Sequence, residues 1–253
     1  MTHPTSLSGR TAVVTGSTSG IGAAIAHQLA ARGARVVVTG RDARRGAEVV
    51  TGIEGSGASA AFVAGDLTAP PAALRELAAQ WVAALDGRVD ILIHNAAVCP
   101  AVDTVTLTDA DLEATLAVNV RAPQVLTAAL APAMAERGTG AIVVIGSWMA
   151  SVGHPFVGFY SATKAAEAQL ARSWAAEFGP RGVRVNTVAP GATRTPINAD
   201  SGDVIAQMTA QTPAGRPGTP DEIAHAVAWL VSDEAAYIHG AVIPVDGGIT
   251  ATR

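Results

Sequence analysis

Short runs of consecutive apolar residues alternate along this chain with longer alanine-rich segments whose apolar positions recur three or four apart. Val36-Val37-Val38, Ile91-Leu92-Ile93 and Ala141-Ile142-Val143-Val144-Ile145 are runs of the first kind. A continuous apolar run is buried on both faces, as in strands of a parallel sheet covered by helices. The pattern predicts strands near 11–15, 35–39, 60–64, 89–94, 141–146, 183–188 and 242–245. It predicts helices near 20–32, 42–52, 70–85, 108–136, 158–178, 203–211 and 220–232. Their alternation implies right-handed βαβ crossovers, and hence a doubly wound α/β sheet with helices on both faces.

No linker, repeat or charge run divides the chain, so residues 1–253 are expected to form one domain. One segment breaks the rhythm. Residues 190–220 are rich in Pro, Gly, Thr and Asp, with room for one short helix. The segment follows a strand at the carboxyl edge of the sheet, where ligands bind in open α/β folds. It is therefore expected to act as a substrate lid.

Composition narrows the picture. With 253 residues and 49% hydrophobic content, the chain can bury one sizeable core, and with 4% aromatics that core must be mostly Ala, Val, Leu and Ile. The net charge of −4 and a single small basic group, Arg41, Arg44 and Arg45, argue against a nucleic-acid partner. Cys99 is the one cysteine, which excludes an internal disulfide and fits a reducing compartment. The first ten residues lack the apolar run of a signal peptide. No apolar stretch approaches the ~20 residues that span a bilayer. A cytoplasmic protein without membrane association is expected.

Two stretches carry candidate chemistry. The first is Thr15-Gly16-Ser17-Thr18-Ser19-Gly20-Ile21-Gly22, between a predicted strand and a predicted helix. Glycines let the backbone turn tightly and approach a phosphate, and the helix N-terminus offers unpaired amides to an anion. The second is Ser147, at the end of the 141–146 strand, with Tyr160 and Lys164 following it. Positions four apart share a helix face, so the phenol and the ammonium are neighbours. At ~4 Å and an effective dielectric of ~20, two unit charges interact by about 4 kcal/mol, equivalent to roughly three pH units. The lysine is thus expected to lower the Tyr160 pKa toward working pH, where a phenol can exchange a proton with an alcohol or ketone.

These motifs occur with Asn95-Ala96-Ala97, Asn119, Arg184-Val185-Asn186, Pro190-Gly191 and Val245-Asp246-Gly247-Gly248. In order and spacing the set resembles the short-chain dehydrogenase/reductase family over residues 8–248, in particular its 3-oxoacyl-[acyl-carrier-protein] reductase-like members. The resemblance implies a Rossmann-like domain with a seven-stranded parallel sheet. It implies nicotinamide-dependent interconversion of alcohols and carbonyls, and a homotetramer or homodimer with contacts through the helices near 108–136 and 158–178. It calls for no metal.

Residue by residue, it implies Tyr160 as general acid/base and Lys164 as the group that holds the nicotinamide ribose and tunes the phenol. Ser147 would hold the substrate oxygen, and Asn119 would support a water-linked proton relay to the lysine while stabilising a kink in its helix. Cofactor contacts would come from Gly16, Ser17, Ser19, Gly20, Ile21, Gly22, Asp66, Leu67, Asn95, Pro190, Gly191, Thr193 and Thr195. His94 stands where many relatives carry Asn, a departure expected to affect packing more than chemistry. Asp246-Gly247-Gly248 reads as a structural turn.

The second predicted strand ends in Val38-Thr39-Gly40-Arg41-Asp42. Gly40 occupies the position of the carboxylate that bonds an NAD ribose, and Arg41 suits a 2′-phosphate. Asp42 is expected to cap the next helix. NADP(H) is therefore favoured over NAD(H). Candidate walls of the substrate pocket are Trp148, Met149, His154 and Phe156, with Val98-Cys99-Pro100 and Ala150 beside them. Trp148 and Met149 serve equally well as packing on a neighbouring helix. The expected function is reversible reduction of a small-molecule ketone to a secondary alcohol. The alternatives are an NAD-dependent alcohol dehydrogenase of the same fold, or a non-catalytic nicotinamide-binding module, which would have no use for a tuned phenol.

Overall fold

In the computed structural model, which describes residues 6–196, 198 and 204–252, the apolar runs form one seven-stranded sheet. The strands are β1 (Thr11–Thr15), β2 (Arg35–Gly40), β3 (Ala60–Ala64), β4 (Ile91–His94), β5 (Gly140–Ile145), β6 (Val183–Pro190) and β7 (Val242–Val245). They lie in the order β3-β2-β1-β4-β5-β6-β7, every pair parallel. The helices are α1 (Gly20–Ala31), α2 (Ala43–Glu54), α3 (Pro71–Ala84), α4 (Asp109–Leu116), α5 (Ala122–Glu136), α6 (Gly158–Phe178), α7 (Val204–Thr209) and α8 (Pro220–Leu230). The family fold expected from the sequence is the one observed.

Each strand feeds two cores, because successive side chains point to opposite faces. Ala12, Val14, Val36, Val38, Ile91, Ile93 and Val143 pack under α1 and α8. Val13, Val37, Leu92, Ile142 and Val144 pack under α3, α5 and α6, where Trp81 is fully buried. This explains the continuous apolar runs: neither face of the sheet is left to water. Each such aliphatic side chain contributes about 1.5–3 kcal/mol when removed from water.

The chain runs outward from β1 to β3, then returns to β4 on the other side of β1. The carboxyl ends of β1 and β4 diverge at this reversal and open a crevice. The glycine turn follows β1, Asn95 follows β4 and Ser147 follows β5, so all three sit at one edge.

The helix expected over 108–136 is not continuous. Between α4 and α5, residues Ala117–Arg121 form a π-helical turn. Its cause is Asn119, fully buried, whose Oδ1 accepts from Val98 N at 2.8 Å. Its Nδ2 donates to Val98 O at 2.9 Å and to Thr163 Oγ1 at 3.0 Å. Three bonds to the β4–α4 loop and to α6 offset the poorer local ladder, and such bulges recur at functional sites.

The segment expected to act as a lid falls partly outside the described residues, at 197 and 199–203. Its roots are held by a bridge between Thr193 and Gly218 and by the short α7. Among the described residues, no helix is long and apolar enough to cross a membrane.

Candidate active site

The phosphate cradle is built by backbone. Gly16 adopts φ +63° and Gly20 φ +55°, left-handed conformations that favour glycine. A Cβ on Gly22 would lie 2.4 Å from both Asn95 Nδ2 and the Gly16 carbonyl oxygen. Asn95 holds the turn by donating to Thr15 O at 2.9 Å and Gly16 O at 3.1 Å. Ser19, at the N-cap of α1, makes no side-chain cap, so the first amides of that helix remain available to an anion. The cradle fits a diphosphate. Gly16, Gly20, Ile21 and Gly22 would hold it through backbone N–H groups, and the side chain of Ile21 packs into the core.

Ser17 requires a correction. Its hydroxyl is fully buried, donates to Val14 O at 2.6 Å and accepts from Thr39 N at 2.9 Å. It shapes the turn between β1 and β2 rather than facing a ligand. Thr195 lies beside the cradle: a Cβ on Gly20 would lie 3.5 Å from its Cβ. Its backbone N–H donates to Asn198 Oδ1 at 2.9 Å, and Asn198 Nδ2 donates to Thr193 O at 2.8 Å. Thr193 is buried, and its Oγ1 donates to Gly191 O at 3.0 Å. Pro190 ends β6 opposite Val245, and a Cβ on Gly191 would lie 2.6 Å from Asp246 Cα. Asp246 accepts from Gly248 N at 2.8 Å and also from Thr250, a closed turn as expected.

At the end of β2, Asp42 caps α2, accepting from Arg45 N at 3.0 Å and from Arg45 Nε at 2.6 Å. The Arg45 backbone N–H is the main reason its carboxyl is held below the ordinary value. Arg41 is exposed and has no hydrogen bond or ion pair among the described residues. Asp66 Oδ1 accepts from Thr68 N at 2.9 Å and Thr68 Oγ1 at 2.8 Å, and no hydrogen bond reaches its Oδ2 among the described residues. Its carboxyl is lowered first by the Thr68 backbone N–H, with Arg41 adding in the same direction. Leu67 packs against the second core.

The reactive trio assembles where β5 meets α6. Ser147 Oγ accepts from Met149 N at 3.2 Å, and its hydroxyl lies near enough to Tyr160 to help lower the phenol's pKa. Lys164 Nζ lies 5.8 Å from the Tyr160 ring centre and donates to the Ile145 carbonyl at 2.9 Å. The ammonium is 1% exposed and lies 2.7 Å from the equally buried Glu167 Oε2.

The expected tuning is reversed in net sign. Burial raises the Tyr160 pKa above that of an ordinary phenol, and Lys164 offsets this only in part. The lysine acts in the direction the sequence implied, but desolvation of the phenolate is the larger effect. Lys164 keeps its proton because Glu167, followed by Tyr160, outweighs burial. Glu167 is pushed up to about 7, since burial outweighs its ammonium partner. Asn119 takes the kink-stabilising role expected of it. Its side chain is spent on Val98 and Thr163, and Thr163 Oγ1 donates on to the Tyr160 carbonyl at 2.7 Å. Asn119 thus braces the helix that carries Tyr160.

His94 is buried, shares a 2.8 Å hydrogen bond with Thr127 Oγ1 and stacks at a tilt 5.9 Å from Trp174. Burial, helped by Lys164, depresses its pKa to about 3, so it is a neutral packing group. The unfolded chain takes up this proton first, near 6.5, so stability is full above 6.5 and falls as the pH drops toward 3. His94→Gln is expected to flatten the acid limb of the stability curve by about 1.4 kcal/mol per pH unit, read by urea unfolding.

Of the expected pocket walls, Met149 and His154 are half-buried. Trp148 is 3% exposed and belongs to the packing around Ser147, whereas Phe156 is 55% exposed. Cys99 is solvent-facing, but burial around its sulfur pushes the thiol up to about 11, consistent with no nucleophilic role. A cavity of about 330 Å³ lies at the root of the lid segment, lined by Gly191, Thr193, Arg216, Glu222 and Asp246 among others. It includes none of Ser147, Tyr160 and Lys164, so it is not where the trio would act.

Comparison with known proteins places the chain in a family. A family model described as Enoyl-(Acyl carrier protein) reductase matches residues 16–250. A cis-4-hydroxycyclohexanecarboxylate dehydrogenase of Sinomonas cyclohexanicum is 40% identical, with 96% of this chain and 97% of the relative covered. The chain belongs to the short-chain dehydrogenase/reductase family. Another member, the 3-oxoacyl-[acyl-carrier-protein] reductase FabG of Escherichia coli K12, is 38% identical over 95% of this chain and 97% of its own. The crystal structure of a 3-oxoacyl (acyl-carrier-protein) reductase from Agrobacterium tumefaciens C58, with NADP bound, superposes with a TM-score of 0.91. It is 36% identical over 97% of this chain and 96% of that one. As a family member this chain is a dehydrogenase/reductase working between alcohol and carbonyl groups.

Three residues escaped the sequence reading. Thr15 Oγ1 accepts from Asn95 N at 2.9 Å and Ala96 N at 3.1 Å, joining β1 to the loop after β4. Thr163 links Asn119 to Tyr160. Glu167 carried a signal that could have been used: a lone carboxylate on the alanine-rich face of α6, one turn beyond Lys164.

Proposed function

We propose that this protein is an NADP(H)-dependent oxidoreductase that interconverts a ketone and a secondary alcohol. The observation that carries the reading is the meeting of Ser147, Tyr160 and Lys164 at the carboxyl edge of the sheet, beside the uncapped N-terminus of α1. Ser147 holds the carbonyl oxygen. Tyr160 donates its proton to that oxygen in reduction and withdraws it in oxidation. Both hydroxyls bond more strongly to a developing alkoxide than to a ketone, which favours the transition state over the ground state. The nicotinamide, when bound, supplies the hydride in one direction and accepts it in the other. Lys164 keeps a positive charge near the phenol and favours its ionised form. The raised pKa of the phenol suits it to protonating a nascent alkoxide.

The cofactor preference rests on Arg41. Asp42 is committed to capping α2, whereas the Arg41 guanidinium is exposed and has no partner among the described residues, as a 2′-phosphate site requires. Arg41→Ala is expected to raise KM for NADPH about 10–100-fold while leaving that for NADH within about twofold. Steady-state kinetics with both cofactors checks this, and a wild-type preference for NADH would refute the assignment. The activity itself is tested with a panel of 3-oxoacyl thioesters, sugars, steroids and cyclic ketones, run in both directions. We further propose a homotetramer or homodimer formed through α4, α5 and α6, which sedimentation would reveal.

A further inference from the structure

The buried partner of Lys164 has no place in the mechanism so far. Glu167 is 1% exposed, and its Oε2 lies 2.7 Å from Lys164 Nζ. Neither carboxylate oxygen has a well-aligned hydrogen bond. The ammonium is thus its one strong partner among the described residues. Such a pair is a poor stability device, because well-packed apolar side chains of similar volume do as well or better. On α6 the neighbouring buried positions are indeed Ala168, Ala171 and Trp174. The carboxylate does, however, sit beside Lys164, the cation that faces the reactive phenol among the described residues.

We propose that Glu167 is a positioning residue that sets how much of the Lys164 charge reaches Tyr160. The proposal rests on the reading of Tyr160 as the proton-transfer group. An ionised Glu167 holds the ammonium at the Ile145 end of its range and offsets its field at the phenol. A protonated Glu167 no longer offsets that field, and the Lys164 proton is then held against burial by the forming Tyr160 phenolate, so the two ionise as a pair. Both effects have the sign the site shows: Lys164 favours the phenolate and Glu167 opposes it.

The titratable groups facing this cluster come from three places. Tyr160, Lys164 and Glu167 lie on α6, His94 ends β4 and Cys99 lies in the loop beyond it. His94 is neutral, with its pKa near 3, and the Cys99 thiol titrates only near 11. Glu167, near 7, is therefore the member that changes charge around neutrality. As the pH rises through that value, the carboxylate forms and the phenol becomes harder to ionise. The reaction site thus carries a charge regulator one helical turn from its lysine.

The chain contains two tyrosines, and Tyr237 is fully exposed. In a Tyr237→Phe background the ultraviolet tyrosinate signal therefore reports Tyr160 alone, without cofactor or substrate. Adding Glu167→Gln is expected to lower the Tyr160 midpoint by about one pH unit or more. In the complete enzyme, the acid limb of kcat/KM for alcohol oxidation should shift to lower pH by a similar amount. Glu167→Asp, which keeps the charge, should leave that limb closer to the parent's. Circular dichroism verifies folding at each pH. If Glu167→Gln does not fold, Glu167→Leu, which fills the space with apolar atoms, is read in the same way. An unshifted or raised midpoint with an unshifted limb overturns the proposal. A Tyr160→Phe variant separates the two levels: retained turnover there would sink the reading of Tyr160 itself, whereas lost turnover with an unshifted Glu167→Gln profile sinks this inference alone.

Discussion

Tyr160→Phe is expected to lower kcat by about 10²–10⁴-fold while the protein still binds NADPH. The magnitude is that of a positioned acid/base group, equivalent to about 3–5.5 kcal/mol of barrier. The substitution keeps the ring, whose position is fixed by α6, and removes one hydroxyl, on the side of Ser147. A single hydrogen bond is worth about 1 kcal/mol of stability, so the fold should persist. The glycine cradle and Arg41 are on other elements, which is why nucleotide binding should survive. The check is a pair of measurements on one preparation: stopped-flow turnover, and NADPH affinity by fluorescence titration. Turnover within a few-fold of the parent's would exclude Tyr160 as the proton donor.

Gly22→Ala is expected to weaken NADPH binding by about 100-fold or more and to destabilise the protein by about 1–3 kcal/mol. The new methyl would lie 2.4 Å from the Gly16 carbonyl oxygen, 2.4 Å from Asn95 Nδ2 and 2.9 Å from Ser17 Cα. Two of those atoms are backbone and cannot swing aside as the end of a flexible side chain could. Relief requires the turn after β1 to open. Asn95 then loses its bonds to Thr15 and Gly16, and the first amides of α1 no longer converge. Calorimetric titration with NADPH and urea unfolding read the two effects separately. Normal affinity would mean that the cradle is not the phosphate site.

What the sequence disclosed, and what it withheld, follows from the range of the interactions involved. The strands were legible because each is covered on both faces, so that Val36-Val37-Val38 has to be apolar throughout. The cap at Asp42 was legible because its partner is three residues away. The π-turn at Ala117–Arg121 was not, because it depends on bonds from Asn119 to Val98 and Thr163, 21 and 44 residues away. The hydroxyl of Ser17 looked available from its place in the glycine motif, yet the approach of Thr39 consumes it. The net pKa direction at Tyr160 was misjudged for the same reason. Helical spacing revealed the lysine, whereas the burial that outweighs it comes from the packing around β5 and α6. Glu167 lay in plain view, but a carboxylate three positions from a lysine on a helix is an ordinary surface pair until the helix is known to bury that face.

The account centres on hydride transfer to a carbonyl carbon beside Ser147 and Tyr160. Its most direct test is to follow a deuterium placed on the reduced nicotinamide carbon of NADPH through turnover of a ketone drawn from the panel. The account predicts that the label appears on the carbinol carbon of the alcohol, on a single face, and that Tyr160→Phe abolishes the transfer. Absence of the label from that carbon, or turnover of no ketone or alcohol in the panel with either cofactor, would contradict it.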